Sequence, residues 1–450
     1  MDPLQRHIAE RLAHSAPRGA LCVGLSGGLD SVVLLDLIAR HARDTGRPVS
    51  AVHVHHGLSS HADSWADFCR DLCAQMDIAL DVERVRVDRS SGEGLEAAAR
   101  VARYDVYAAR KEDFVVLAHH LEDQSETVLL QLLRGTGMKG AAAMPELRHL
   151  PASSVCILRP LLGVSRAALR EHAGASSLRW IEDDSNTSLR HDRNFLRHEI
   201  APRLDARWPR WRDAAARFAR NAAAADALLL ALARIDGLPG RPGDELPLDR
   251  DLSPERRANL LRAFLALNEV AMPDEARVAE MTQQLFDARM DGSVRIEHEG
   301  LELRRFRDRI RLEPAVPAAG AWQVEWLGQP EVSLAGDVGT VRFEAVIGEG
   351  IAASRSVEPG WHFAPRAGGE RLRLDPRRPS RTLKNLLREN DVPPWQRERI
   401  PLLFHGGHLV WAPGIGIEAD YACPPGQPGL RPEWLQKGLG TSQETPDVLK

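Results

Sequence analysis

Cysteine is scarce in this sequence, and its arrangement excludes two kinds of site. The five cysteines are odd in number, and no two of them form a C-x-x-C pair. They are Cys22, Cys69, Cys73, Cys156 and Cys423. Neither a disulfide framework nor a zinc site built from thiolates is therefore expected. This usage favours a protein of the reducing cytoplasm.

Long apolar runs and a strong net charge are also missing. The longest apolar stretch, residues 225–233, is less than half of a membrane span, and the first residues contain no apolar segment of the kind that a secretory signal needs. We therefore expect nothing that targets the chain or inserts it into a membrane. The net charge of −4 does not by itself indicate a polyanionic partner. Any surface that binds nucleic acid must therefore come from a local concentration of basic residues.

The first part of the chain has the rhythm of an α/β domain. Within residues 20–130, short β-rich runs alternate with longer helical patterns, which is typical of βα units around a parallel sheet. The predicted strands are residues 21–25, 49–55, 80–85 and 114–118, and the predicted helices are residues 30–42, 60–76, 94–111 and 123–133. The fold class predicted is α/β, with a doubly wound parallel sheet followed by two smaller α+β domains.

Two stretches rich in proline and glycine, residues 237–247 and 314–328, divide the rest of the chain. The predicted organisation is an α/β domain at 1–205, a helical linker at 206–240, a small α+β domain at 241–315, a C-terminal domain at 330–425 and a disordered tail at 426–450. Residues 361–400 contain nine arginines and one lysine against five acids. This local surplus of positive charge suits an RNA surface.

A glycine-rich loop lies between the first predicted strand and its helix, and its residues are Ser26, Gly27, Gly28, Leu29, Asp30 and Ser31. The glycines permit close approach of backbone, and the first N–H groups of the helix are free to bind an anion. A polyphosphate is therefore expected there, with Asp30 capping the helix or holding Mg²⁺. The alternative is a tight turn with an ordinary side-chain helix cap. Neither G-x-x-x-x-G-K-[ST] nor, at this turn, G-x-G-x-x-G is present, which excludes the two commonest nucleotide loops.

The S-G-G-L-D-S loop resembles the PP-loop of the N-type ATP pyrophosphatases, which cleave ATP between the α and β phosphates and transfer AMP to a substrate oxygen. Six further runs resemble one family of that group, the tRNA(Ile)-lysidine synthases, along nearly the whole chain. They lie at residues 53–58, 96–104, 118–127, 134–140, 183–202 and 385–402. Ser59 stands where this family has an arginine, and Glu122 where it usually has an aspartate.

The resemblance implies ATP and Mg²⁺ as cofactors and suggests site residues. His56 and the six loop residues would bind the nucleotide, and Asp30, Arg100 and Asp123 would be catalytic. Three histidines within residues 53–56 could instead suggest a metal site. Arg100 and Arg103 share a helix face, which suits phosphate recognition, although a solvated basic face is the alternative.

Asp123 and Glu126 are three residues apart at a predicted helix start, so both carboxylates can face one cation. The alternative is that the two acids bind no ligand and only interact with the dipole of the helix N-terminus, which favours acidic side chains there. In the reaction that the resemblance implies, the ε-amine of free lysine attacks the wobble cytidine of a tRNA. An acid pair beside that amine would raise its pKa and oppose the attack. We therefore expect the pair at the α-ammonium of free lysine, with Mg²⁺ as the competing ligand.

The remaining implied site residues would hold tRNA, and they are Arg134, Lys139, Arg193, Arg197, Arg378, Arg381 and Lys384. The resemblance implies ligation of free lysine to the wobble cytidine of isoleucine tRNA with a CAU anticodon, through an adenylylated intermediate. A PP-loop tRNA thiolase and an inactive tRNA-binding homologue are the two alternatives. The sequence leaves the oligomeric state open, with a homodimer as one candidate.

Overall fold

A computed structural model describes residues 2–87, 95–182, 192–288, 294–315, 322–336 and 338–435. The chain forms two compact units, Met1–Leu229 and Leu230–Lys450. No helix in the part of the chain that the structure describes is long and apolar enough to cross a membrane.

The first unit is built on a six-stranded sheet. Its strands lie in the order β3-β2-β1-β4-β6-β5, and only the β5–β6 pair is antiparallel. This confirms the expected doubly wound sheet, whose order reverses between β1 and β4. Strands β5 and β6 were not predicted, because they form an antiparallel hairpin that breaks the strand–helix alternation of residues 20–130. The bounds are β1 Leu21–Gly24, β2 Val49–His55, β3 Ala79–Arg84, β4 Phe114–Val116, β5 Leu147–His149 and β6 Cys156–Leu158.

The helices of this unit follow the predicted order between the strands. Their bounds are α1 Pro3–Ser15, α2 Leu29–Thr45, α3 Ala62–Met76, α4 Leu95–Ala108, α5 Leu121–Leu133, α6 Met138–Ala141, α7 Arg166–Ala175, α8 Asp192–Phe195, a π-helical turn Leu196–Ile200, α9 Ala201–Arg207 and α10 Trp211–Ile235.

Strand β1 and helix α2 are the centre of the first core. Leu21, Cys22 and Val23 are all 0% exposed, as expected for the middle strand of a sheet covered on both faces. Helix α2 is buried from Val32 to Ala39, so its apolar run is a continuous block rather than a stripe. This rigid strand–helix pair fixes the loop between them.

The second unit begins with an antiparallel sheet of order β7-β10-β9-β8, against which α11 and α12 pack. Phe264, Leu285 and Ile310 are 0% exposed in this core. The elements are β7 Leu246–Pro247, α11 Pro254–Leu267, α12 Glu275–Asp287, β8 Val294–His298, β9 Leu301–Phe306 and β10 Arg309–Pro314.

The remainder of the second unit is mostly β-structure around Trp326 and Trp361. Its sheets have the orders β11-β15-β18-β19-β20, β12-β13-β21-β14 and β16-β17. The strands are β11 Val324–Glu325, β12 Glu331–Ser333, β13 Thr340–Ile347, β14 Ile351–Ala352, β15 Trp361–Ala364, β16 Arg371–Leu372, β17 Arg381–Thr382, β18 Leu402–His405, β19 His408–Ala412, β20 Gly416–Ile417 and β21 Pro428–Leu435, with helices α13 Leu383–Glu389 and α14 Pro394–Arg397 and a 3₁₀ turn Ala353–Arg355.

Strand β21 corrects the expectation of a disordered tail from residue 426. It pairs with β13 along eight residues, from Thr340↔Leu435 to Ile347↔Pro428. The two prolines of β21 argued against a strand, because proline has no backbone N–H to donate to a neighbouring strand. Pro432 is tolerated since β14 pairs only with Gly429 and Leu430 on the other side of the strand. Residues 436–450 lie outside the described residues.

Candidate active site

The site lies where three neighbouring strands of the first sheet end. The glycine-rich loop follows β1, the dipeptide His119-His120 comes three residues after β4, and Arg159 follows β6. Carboxyl ends of parallel strands meet at one edge of a sheet, and ligands of open α/β folds bind where the strand order reverses. Here that point is between β1 and β4, so these three segments converge.

The geometry of the loop requires its glycine. Gly27 has φ of +88°, and a Cβ there would lie 2.7 Å from Ile181 Cδ1. The Ser31 hydroxyl donates to the Gly28 carbonyl at 3.0 Å and accepts the Ser26 N–H at 3.2 Å. Gly28 is the N-cap of α2 and has no side-chain cap hydrogen bond. The ordinary side-chain cap is therefore not what the loop provides, and the helix N-terminus remains available for an anion.

Asp30 lies in the first turn of α2 and points toward the sheet edge. Its Oδ1 is a buried oxygen without a hydrogen-bond partner, 3.6 Å from Arg166 Nε. A carboxylate oxygen left in this state suits a hard cation. No group of three or more potential metal ligands is found among the described residues. Asp30 thus fits a Mg²⁺ that takes its other ligands from phosphates and water, which is how this ion is commonly bound.

His120 joins the loop to helix α5. Its ring is 3% exposed and lies 3.0 Å from Glu122 Oε2, 3.4 Å from Asp123 Oδ2 and 3.6 Å from Asp30 Oδ2. Burial disfavours the charged ring, but the three carboxylates outweigh burial and raise the pKa of His120 to about 9. At neutral pH the ring is therefore a buried cation that holds three acids together.

Asp123 and Glu126 meet two arginines rather than open space. Glu126 is 3% exposed and accepts from Arg193 Nε at 2.9 Å and from Arg197 Nε at 2.7 Å. Asp123 Oδ1 accepts from Arg193 at 2.8 Å and from Arg197 at 3.3 Å. Burial raises the pKa of Asp123, but the charges of His120 and Arg193 lower it more, so the carboxyl stays ionised. We call these four residues the acid–arginine cluster; its formal charge is zero.

The histidines near the loop have separate partners. His53 Nδ1 contacts the Leu25 carbonyl at 2.9 Å, and His55 Nε2 lies 3.2 Å from Asp63. His56 Nε2 accepts from Arg103 Nη2 at 3.3 Å, and its Nδ1 is buried without a hydrogen-bond partner. Burial and the charge of Arg103 lower the pKa of His56 to about 4. Among the described residues these histidines therefore do not form a shared metal site, and His56 has one buried ring nitrogen without a hydrogen-bond partner.

Comparison with known proteins decides the family. Residues 2–204 match the model of a PP-loop domain, residues 250–311 that of the TilS substrate binding domain, and residues 362–434 that of the TilS substrate C-terminal domain. The tRNA(Ile)-lysidine synthase of Nitrosomonas europaea is 38% identical over 427 residues, which cover 94% of this chain and 93% of that protein. The chain belongs to the tRNA(Ile)-lysidine synthase family.

Two further lysidine synthases show the same extent of similarity. That of Azoarcus sp. is 40% identical over 94% of this chain and 94% of its own length. That of Aromatoleum aromaticum is 41% identical over 93% of this chain and 98% of its own length. The similarity therefore extends through all three matched regions.

The basic residues expected at tRNA have different environments. Arg134 and Lys139, around α6, are exposed, and neither side chain has an ion pair among the described residues. Arg193 and Arg197 are about one-third exposed and turn toward the two acids. In the second unit, Lys384 is exposed without such a pair. Arg378 and Arg381 are paired with Asp375 and Glu389. Residues 183–186 lie outside the described residues.

Sequence reasoning missed two members of this site. His120 was seen only as part of a motif, although its position between β4 and α5 marks it as a residue of the sheet edge. Arg159 was not considered, because it lies in none of the six runs that resemble the family. Its guanidinium donates to His119 Nδ1 at 3.2 Å, and burial together with Arg159 lowers the pKa of His119 to about 3. His119 is therefore a neutral ring.

Proposed function

We propose that this chain ligates free lysine to C2 of the wobble cytidine of isoleucine tRNA with a CAU anticodon, which changes the codon read from AUG to AUA. Membership of the lysidine synthase family makes the chain an ATP-dependent ligase with a PP-loop domain. The observation that carries the finer proposal is the continuous chain of contacts from Asp30 through His120, Asp123 and Arg197 to Glu126. It connects a phosphate loop to a site for a zwitterion.

The first half-reaction would activate the tRNA. The cytidine O2 attacks the α-phosphate of ATP and pyrophosphate leaves, which gives an adenylylated tRNA. The loop N–H groups and the Ser26 hydroxyl are donors for phosphate oxygens. Ser31, whose hydroxyl donates to the Gly28 carbonyl, would bind the nucleotide by holding the loop in shape. Asp30 would hold Mg²⁺, which supplies charge neutralisation on the phosphates when it is bound. We propose Arg100 and the unpartnered Nδ1 of His56, which directly follows β2, as further donors.

The acid–arginine cluster suits the head group of an amino acid. Free lysine carries an α-ammonium and an α-carboxylate, so the ammonium can take the place of an arginine at Asp123 or Glu126 while the carboxylate takes the displaced guanidinium. This exchange leaves the net charge unchanged. A Mg²⁺ ion placed between the same acids would instead face two guanidinium groups at about 3 Å from the shared oxygens. We therefore assign the acids to lysine.

In the second half-reaction the ε-amine displaces AMP at C2. With an unperturbed pKa near 10.4, only about one amine in 10³ to 10⁴ is neutral at pH 7. The head group must therefore lie at the acids while the ε-amine lies away from them, because a carboxylate beside that amine would keep it protonated. The length of the lysine side chain allows this separation between recognition and reaction.

The tRNA would be held outside the reaction centre by the exposed cations of both units. We propose Arg134 and Lys139 near the anticodon, and Arg378, Arg381 and Lys384 at a more distant part of the tRNA, with Arg193 and Arg197 shared between substrate and cluster. The proposed division is a catalytic domain at 1–205, a linker at 206–240, a middle domain at 241–315 and a tRNA-binding domain from 330. The activity would be cytoplasmic.

A thiolase reaction is less well supported, because it needs a reactive thiol. All five cysteines are buried and free. Burial raises the pKa of Cys22 and Cys73 to about 11 and that of Cys69 to about 12, which opposes thiolate formation.

The deciding experiment is nucleoside analysis of unmodified isoleucine tRNA(CAU) after incubation with the protein, ATP and free lysine. Lysidine should form only when all three are present, with one AMP released per residue formed. Asp30→Asn is the matched negative control. In a parallel incubation with sulfide in place of lysine, sulfur incorporation without lysidine formation in the first incubation would establish the thiolase reaction. Binding of tRNA without pyrophosphate release would establish the inactive homologue.

A further inference from the structure

A buried guanidinium beside the active site lacks a compensating charge. Arg159 is 2% exposed. It donates to three neutral acceptors: His119 Nδ1 at 3.2 Å, the Pro145 carbonyl at 2.9 Å and the Tyr104 hydroxyl at 3.1 Å. None of the carboxylates that the structure describes forms an ion pair with it. Removing a cation from water without a counter-ion is costly, so such a group is most easily maintained where an anion binds.

Two more arginines gather at the same tyrosine. Arg100 lies 4.8 Å from the centroid of the Tyr104 ring and donates to its hydroxyl at 3.2 Å. Arg148 lies 5.8 Å from the centroid of that ring, and within the described chain its side chain has neither a hydrogen bond nor an ion pair. Arg100 and Arg148 are both exposed. Three like charges therefore surround one phenol, two of them open to solvent.

The hydroxyl of Tyr104 indicates that a ligand bound at this tyrosine would be an anion. Its oxygen already accepts from Arg159 and from Arg100, so its own proton is available to donate. No acceptor for it is present among the described residues. A ligand that accepts from a phenol and from several guanidinium groups at once is an oxyanion, and the geometry suits phosphate oxygens best.

We propose that Arg100, Arg148 and Arg159, arranged around Tyr104, form a phosphate-binding subsite at the carboxyl ends of β4 and β6. Arg159 supplies the fixed buried charge, whereas Arg100, Arg148 and the Tyr104 hydroxyl contact the ligand. The phosphate belongs either to the tRNA backbone next to the reacting cytidine or to the pyrophosphate part of ATP. The tRNA alternative rests on the proposed function; the ATP alternative rests only on the PP-loop.

Arg148→Gln tests the proposal without disturbing the fold, because this side chain is exposed and makes no hydrogen bond in the described structure. The ligands measured are inorganic pyrophosphate, ATP and unmodified isoleucine tRNA(CAU), the last at several salt concentrations. We expect about a tenfold loss of affinity for one of these ligands. A tRNA phosphate would also lower the log-log salt slope by roughly 0.7 to 0.9, whereas an ATP phosphate would leave that slope unchanged.

Three controls accompany this variant. Arg148→Lys keeps the charge and should retain most of the affinity, and Tyr104→Phe should weaken the same ligand as Arg148→Gln. Arg43→Gln, at an exposed arginine near the end of α2, should change nothing. Wild-type affinity of Arg148→Gln for pyrophosphate, ATP and tRNA would overturn the subsite. Failure of the wild-type protein to make lysidine would overturn the proposed function instead. The affinities of wild type and Arg148→Gln for pyrophosphate and ATP would still test the subsite in that case.

Discussion

Glu126 allows the lysine and magnesium assignments to be separated by a single substitution. Its carboxylate is nearly inaccessible, with the side chain 5% exposed, and it accepts three hydrogen bonds from Arg193 and Arg197. Glu126→Gln keeps the shape but removes the negative charge and turns one acceptor into a donor that faces a guanidinium. The cluster then carries one uncompensated positive charge. An incoming α-ammonium should be repelled where it was previously attracted.

The size of this effect follows from the bonds lost. A hydrogen bond to a charged group contributes roughly 1.5 to 3 kcal/mol, and at least one such bond to the lysine ammonium disappears. The KM for lysine should therefore rise by about tenfold or more. The cost to folding should be smaller, on the order of 1 kcal/mol, because both arginines are about one-third exposed and can be solvated.

Two assays divide the reaction at the adenylylated intermediate. Pyrophosphate release from ATP and tRNA without lysine reports adenylylation, and lysidine formation at varied lysine concentration reports the second step. Glu126→Gln should leave the first nearly unchanged. Asp123→Asn should impair both steps, because Asp123 also lies 3.4 Å from His120, which contacts Asp30. The reasoning is refuted if Glu126→Gln loses adenylylation, if added Mg²⁺ partly restores it, and if the KM for lysine does not move.

Three further predictions concern other parts of the molecule. Asp30→Asn should abolish pyrophosphate release and leave tRNA affinity within about twofold, as measured by filter binding; undiminished release would exclude the loop as the ATP site. His120→Asn keeps a good helix cap but removes the charge; since the folded-state pKa of His120 is raised to about 9, its stabilisation is complete below about pH 6.5 and is lost as the pH rises through 9. The difference in melting temperature between wild type and His120→Asn should therefore shrink over that interval, and a constant difference would contradict the charged ring. Lys384→Gln should lower the salt slope of tRNA binding by roughly 0.7 to 0.9, and Arg381→Gln by less, because Glu389 already pairs with Arg381; slopes that stay at the wild-type value in both variants would remove the second unit's basic surface from the tRNA interface.

Much of the first unit could be predicted from local pattern. The predicted strand at residues 49–55 matches β2, Val49–His55, and the loop lies between strand and helix as expected. Strand β2 was recognisable because it is rich in valine, a β-branched residue that favours strands. Strands β5 and β6 were missed because they form an antiparallel hairpin, outside the strand–helix alternation by which the other strands were recognised.

The sequence by itself determined the family of the chain and indicated that the glycine-rich loop binds phosphate. Both follow from residues that are adjacent in the chain: S-G-G-L-D-S is one short loop, and each remaining motif is a single continuous run. Only the tertiary structure decided the partners of the charged side chains. Arg193 and Arg197 were expected at tRNA, yet they lie on Glu126 and Asp123 some seventy positions earlier in the chain. Arg159 reaches Tyr104 across 55 positions. Charges of either sign are equally compatible with a helix surface, so local pattern cannot distinguish a solvated arginine from a paired one. The packing of strand ends at one sheet edge makes that distinction, because burial at that edge leaves each charge to be neutralised by another side chain or by a ligand.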